Sequence, residues 1–193
     1  MNSGLPAKTT LKDALDRASA HAPYLGMAMQ VQPELTELLA ADNLDAALDY
    51  SRSIGESADN VRQKLRREKR ALALTLAIGD LAGRLTLTDV ITRLSDFADR
   101  ALDEALADIY ATRYPDAPLE GFAVIGLGKH GSRELNYSSD IDPIFIYDPD
   151  KIPVRGREEP SDAARRIGQQ LVEALNSRDA DGYVFRVDMR LRP

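Results

Sequence analysis

The sequence contains no cysteine and no tryptophan, and only two histidines, His21 and His130. Without cysteine there is no disulfide framework, no thiolate zinc site and no cysteine nucleophile. Two histidines exclude a histidine-rich metal centre, which leaves carboxylates as the ligands for any metal. Aromatic residues make up 6% of the chain, too few to build a base-stacking platform for single-stranded nucleic acid. No uninterrupted apolar run approaches the ~18 residues that a bilayer-spanning helix needs. Met1-Asn2-Ser3-Gly4 lacks the basic start and apolar stretch of a secretory signal. These absences predict a soluble intracellular protein.

What is present is ordinary for a globular chain: 193 residues, 44% hydrophobic and 29% charged. That length allows one domain, or a large one and a small one. The net charge is −6, from 25 basic and 31 acidic side chains, so the overall basic footprint of a nucleic-acid binder is missing. The acidity is concentrated early. Through Glu120 there are 14 basic and 19 acidic residues, and from Gly121 onward 11 and 12.

The first part of the chain reads as helices. Asp42 to Tyr50 is a short one with Asp42 placed to cap it. Val61 to Leu81 follows, with Leu65, Leu72 and Leu76 at helical spacing. Within it, Arg62 to Arg70 carries six basic residues and one acid, which reads as the wet face of a helix, the alternative being a patch that touches nucleotide or an acidic partner. The clearest helix runs from about Thr88 to Tyr110, where Ile91, Leu94, Ala98, Leu102, Ala105 and Ile109 form one apolar stripe. The character changes at Tyr114-Pro115-Asp116-Ala117-Pro118, which marks a boundary. The expected organisation is a helical region over 1–115 and a second region over 116–193.

In that second region Phe122–Leu127 reads as a buried strand, followed by a glycine-broken segment that would open a short helix at Ser132-Arg133-Glu134-Leu135. Ile141–Tyr147 reads as a second strand. Ser161 is placed to cap a helix with Ala164, Ile167, Leu171 and Leu175 on one face, and Asp181-Gly182 is a turn signal. Tyr183–Leu191 reads as a third strand, in which Phe185, Val187, Met189 and Leu191 alternate with Val184, Arg186, Asp188 and Arg190. Period two puts Phe185, Val187 and Met189 in the core and Arg186, Asp188 and Arg190 on the opposite face. The same period puts Asp140 and Asp142 on one side of the second strand. If the two strands are neighbours, Asp140, Asp142 and Asp188 converge. Carboxylates brought together repel unless a cation neutralises them, and an all-oxygen set suits Mg2+ or Mn2+. Such a group can serve in-line displacement at phosphorus.

Upstream stands Gly126-Leu127-Gly128-Lys129-His130-Gly131-Ser132. Glycines after a strand let backbone approach a ligand closely, and Ser132 at a helix start would offer a hydroxyl and backbone N–H groups to phosphate. The segment is neither a P-loop nor the opening of a long Rossmann helix. Lys129 and Arg133 are either phosphate contacts or surface charges. Glu134 reads as a charge at a helix start, Ser138 and Ser139 as turn formers, and His130 as a surface or core histidine rather than a base.

Gly131-Ser132, then seven residues, then Asp140-Ile-Asp142 and a later strand carboxylate is a pattern that resembles the nucleotidyltransferase superfamily. Gly126-Leu-Gly-Lys-His-Gly-Ser-Arg-Glu-Leu-Asn-Tyr-Ser-Ser-Asp-Ile-Asp142 and Val184-Phe-Arg-Val-Asp-Met-Arg-Leu-Arg-Pro193 are similar to two signatures of the bacterial glutamine synthetase adenylyltransferases. Those proteins carry two related nucleotidyltransferase halves, and Asn136-Tyr-Ser-Ser-Asp140 looks more like the first, adenylyl-removing half. Two positions depart from the family wording: His130 and Pro143 stand where leucine is usual. Proline removes a ladder N–H, so Pro143 implies an edge or irregular strand. The chain is also several times shorter than family members and reads as a fragment or truncated copy.

The resemblance implies an α+β fold, a helical N-terminal region followed by a small mixed sheet with flanking helices. It implies a cytoplasmic, Mg2+- or Mn2+-dependent nucleotidyltransferase, with ATP or ADP as substrate or product. Asp140 and Asp142 would bind metal and position phosphates, and Asp188 would bind the metal that activates the attacking oxygen. Gly131 and Ser132 would hold phosphate. The implied partners are glutamine synthetase and the PII signalling protein, with no nucleic acid and no membrane. The reaction implied is phosphorolytic removal of AMP from adenylylated glutamine synthetase. The alternatives are another small nucleotidyltransferase, or an inactive copy that only binds partners.

Overall fold

A computed structural model describes residues 9–189. The fold is α+β: mostly helical, with a small antiparallel sheet and flanking helices. The described residues fall into two compact units, one comprising 9–59 and 63–91, the other 60–62 and 92–189.

In the first unit, α1 (Leu11–His21), α2 (Pro23–Gln30), α3 (Pro33–Ala40) and α4 (Leu44–Ser53) lead into α5 (Val61–Leu81), which spans the range expected from its leucine spacing. Leu11, Leu15, Leu35, Leu39, Leu74 and Ile78 are the large side chains of its core. A capping box starts α1: Thr10 accepts from the Asp13 N–H, and Asp13 accepts from the Thr10 N–H. The residue that caps α4 is Asn43, whose side chain accepts from the Ala46 N–H, and not Asp42. Asp42 has left-handed backbone, φ 58°. Its carboxylate accepts instead from the Leu11 N–H at 2.8 Å and from Arg84 at 3.1 Å, fastening three chain segments. These bonds, the Leu11 one first, hold the Asp42 carboxyl below the usual range.

The basic stretch of α5 is not a solvated face. Arg66 is 5% exposed and Glu68 1%, and the rest of 62–70 is at least half-buried. Burial pushes the Lys69 amine down to about 7. The long helix α6 (Leu87–Arg113) begins where Thr86 and Asp89 bond reciprocally. Its stripe from Leu94 through Ile109 is buried as the spacing predicts.

The second unit contains the rest of α6, β1 (Phe122–Leu127), a one-turn α7 (Gly128–Gly131), β2 (Asp142–Tyr147) and α8 (Pro160–Asn176). β1 and β2 pair antiparallel, from Phe122 opposite Tyr147 to Leu127 opposite Asp142. The apolar face of α8, Ala164, Ile167, Leu171 and Leu175, is buried. Its N-cap is Glu159 with Pro160 in the first turn, so Ser161 lies inside the helix.

Two further expectations for this unit are corrected. The short helix lies one turn earlier than Ser132–Leu135. Ser132 closes α7, donating its N–H to the Gly128 carbonyl, and Arg133 follows with left-handed backbone at φ 59°. The Glu134 N–H then reaches back to the Lys129 carbonyl at 2.7 Å, which completes a helix-ending turn.

The third strand does not form over 183–189. It is reduced to one parallel bridge, Ile141 to Val187, made by Ile141 N–H to the Arg186 carbonyl and Asp188 N–H to the Ile141 carbonyl. In a parallel ladder the next rung comes from the N–H two residues on. That residue is Pro143, which has none. Beyond the missing rung Met189 is 44% exposed, not buried. Before it, Val184 and Phe185 are both buried, because both their N–H groups turn to the Leu175 carbonyl and the alternation starts only afterwards. Arg190–Pro193 and Met1–Gly4 lie outside the described residues.

Candidate functional site

The single bridge is enough to organise a site. Ile141 is fully buried, so its neighbours Asp140 and Asp142 face away from the core. Across the bridge, parallel pairing sets Arg186 beside Asp140 and Asp188 beside Asp142. All three aspartates line one cleft of about 820 Å³, together with Lys129, Gly128, Asn136, Ser138, Ser139, Pro143 and Met189.

The carboxylates share the cleft without being drawn to one point. Asp140 is engaged by Arg186, whose Nε donates to Asp140 Oδ1 and whose Nη2 donates to the Ser138 carbonyl at 2.8 Å. The Asp140 bond and charge hold the Arg186 guanidinium above its ordinary pKa. Among the described residues no group of three or more carboxylate, imidazole or thiol side chains stands close enough to hold an ion. In chemistry the donor set still fits a hard divalent cation, since every candidate ligand is a carboxylate oxygen.

Gly128 lines the cleft beside Asp142. Its φ is +55°, and a methyl group added there would lie 2.8 Å from Asp142 Oδ2. No other residue type leaves this carboxylate its place without strain. The turn that carries Gly128 is packed as tightly behind. A methyl group on Gly126 would meet the His130 ring at 2.8 Å, and one on Gly131 would meet the Gly126 carbonyl oxygen at 2.5 Å.

Of the expected phosphate contacts, Lys129 lines the cleft and Gly131, Ser132 and Arg133 do not. The Ser132 hydroxyl donates to Glu134 at 3.1 Å. Arg133 is held by Asp96, and by Asp99 at 3.0 Å, both on α6. These bonds, the Asp96 one first, hold its pKa above the ordinary value. Ser138 and Ser139 do shape the turn into β2, through Asn136: its side chain accepts from the Ser138 N–H, and its own N–H donates to the Ser139 hydroxyl, both at 3.0 Å. From sequence Asn136 stood out only as part of the wording shared with the family, and Asp96 and Asp99 had no role assigned. The first is recognisable as a turn-forming Asn before Ser-Ser. The α6 pair carried no local signal, because its partners lie 34 and 37 positions away in sequence.

The family model described as glutamate-ammonia ligase adenylyltransferase matches residues 11–193. Among curated relatives, the "bifunctional glutamine synthetase adenylyltransferase/adenylyl-removing enzyme" of Burkholderia pseudomallei is 37% identical over 95% of this chain and 22% of its own length. The protein of the same description from Caulobacter vibrioides is 39% identical over 90% of the chain and 19% of its own length. That from Xanthobacter autotrophicus is 37% identical over 96% and 22%. The chain thus spans about a fifth of the length of these relatives.

Proposed function

The chain belongs to the glutamate-ammonia ligase adenylyltransferase family, and from that premise we propose that it performs metal-dependent nucleotidyl transfer, removing AMP from adenylylated glutamine synthetase. The observation that carries the proposal is the meeting of Asp140, Asp142 and Asp188 at one cleft on the face opposite the buried Ile141.

In this reaction an orthophosphate oxygen attacks the α-phosphorus of the adenylyl–tyrosine diester. The new bond makes ADP, the bond to the tyrosine oxygen breaks, and that oxygen takes a proton. Asp142 and Asp188 would hold the divalent ion, joined by Asp140 on release from Arg186. A bound Mg2+ or Mn2+ would supply charge neutralisation at the reacting phosphoryl group. The chain's own part is positioning. Lys129, at the cleft, offers a cation to the phosphates, and Gly128 leaves room for them beside Asp142. Gly131, Ser132 and Arg133 act one layer out, by closing and anchoring the turn. Regulation through the PII signalling protein and a cytoplasmic location belong to the same reading of the whole protein. No helix among the described residues is long and apolar enough to cross a membrane.

A second reading, a copy that binds its partners without turning over, draws on the Asp140–Arg186 pair and the rung lost at Pro143. One assay separates the two. The chain is incubated with adenylylated glutamine synthetase, orthophosphate and Mg2+ or Mn2+, and ADP is measured. Metal- and phosphate-dependent ADP release is expected, lowered about a thousandfold or more in Asp140→Asn, Asp142→Asn and Asp188→Asn, since each removes metal-centred stabilisation of the transition state. Variants with parental turnover would defeat the site assignment. Binding to glutamine synthetase without any ADP release would establish the second reading.

A further inference from the structure

We infer that His130 is a positioning residue for the aspartate cleft: anchored by Asp99, it holds the Gly128–Gly131 turn so that Gly128 stays against the Asp142 carboxylate. The inference rests on the reading of that cleft as a metal and nucleotide site.

The imidazole is 5% exposed, and its Nε2 lies 2.7 Å from Asp99 Oδ1. A carboxylate accepts, so Nε2 carries the proton. Nδ1 is buried and has no hydrogen-bond partner among the described residues. A buried imidazole with one nitrogen unpartnered is a costly way to fill a core. What the ring contributes that an aliphatic side chain would not is the bond to α6.

That bond is part of a two-point anchorage. Asp96 and Asp99 are three residues apart on α6 and so share a face. Asp99 takes His130 within the turn and Arg133 just after it, and Asp96 takes Arg133 again. From the ring the packing runs directly to the cleft. The ring seats against Gly126 at the end of β1, and Gly131 packs on the Gly126 carbonyl. Gly128, two residues before His130, bounds Asp142. If the ring is freed from α6, no other side chain within the turn fixes Gly128.

The test uses the full chain and three variants. His130→Leu fills the seat without the bond, His130→Gln restores a donor, and Asp99→Asn keeps the shape of the acceptor while removing its charge. Two readouts are taken: amide hydrogen exchange across residues 129–132, and Mn2+ affinity followed by the electron spin resonance of the free ion. His130→Leu and Asp99→Asn should each speed exchange in the turn and weaken Mn2+ binding about tenfold, the worth of one hydrogen bond to a charged partner. Exchange in α8 should not change. His130→Gln should recover most of both effects, because it restores a donor to Asp99. Parental exchange and affinity in His130→Leu would overturn the inference. So would exchange that speeds equally in α8, or a Gln variant no better than Leu. If His130→Leu fails to fold, Asp99→Asn and His130→Gln decide the matter by the same readouts. If the parent chain takes up no Mn2+, the metal reading of the cleft falls, while the exchange comparison still decides the role of His130.

Discussion

Replacing Gly128 by alanine separates two costs that the structure makes explicit. The first is backbone: at φ +55° a Cβ crowds the following carbonyl, at roughly 1–2 kcal/mol. The second is local: the new methyl would lie 2.8 Å from Asp142 Oδ2. That oxygen is the end of a short side chain, so the relief is rotation of Asp142 away from its rotamer, at about 0.5–1.5 kcal/mol. Gly156 supplies the control. It has nearly the same backbone, φ +62°, and nothing within 4 Å of an added methyl. Both substitutions reduce the freedom of the unfolded chain alike, so that contribution cancels. Urea unfolding should therefore show Gly156→Ala destabilised by the backbone cost alone. Gly128→Ala should lose about 0.5–1.5 kcal/mol more, the price of turning Asp142. In thermal unfolding that extra loss corresponds to about 2–4 °C per kcal/mol for a chain of this size. Mn2+ affinity should fall in Gly128→Ala and stay parental in Gly156→Ala. Equal stability losses with unchanged Mn2+ affinity would refute the claim that Gly128 holds the Asp142 carboxylate in place.

Pro143→Leu supplies the missing N–H for a rung to the Asp188 carbonyl. It should slow amide exchange around 188–189 by about threefold to tenfold, the range of one backbone hydrogen bond, and unaltered exchange there would show that proline is not what stops the pairing. The Lys69 amine, at about 7 in the fold and 10.5 when free, makes the unfolded chain the better proton binder between those values. Unfolding free energy should accordingly rise as pH is raised from about 7 to 10.5, and the gain should be gone again once pH falls to 7. Lys69→Met should flatten this rise, and an identical pH profile in the variant would mean that another group is responsible.

Much of the molecule could be read from local pattern. The leucine and alanine stripes of α5 and α6 set those helices, and the apolar run 122–127 set β1, because period and length are properties of a short window. That Asp140 and Asp142 share one side of their strand was also legible, since period two puts Ile141 on the other, whereas the pairing of that segment with Arg186-Val-Asp188 belongs to the tertiary structure. Other features depended on partners distant in the chain. Asp42 and Asn43 are both good caps, and only the approach of Leu11 and Arg84 assigned Asp42 elsewhere. Arg133 looks like a phosphate contact beside Ser132, until α6 presents Asp96 and Asp99 across 37 and 34 positions. The basic run of α5 has the composition of a wet face, yet Arg66 and Glu68 are buried. The length of the third strand shows the division most clearly. Alternation over 183–191 states what those residues prefer, but a ladder needs donors on both sides, and the missing one belongs to Pro143, more than forty residues earlier. Sequence determines which face each side chain favours; tertiary structure decides whether a partner is there to receive it.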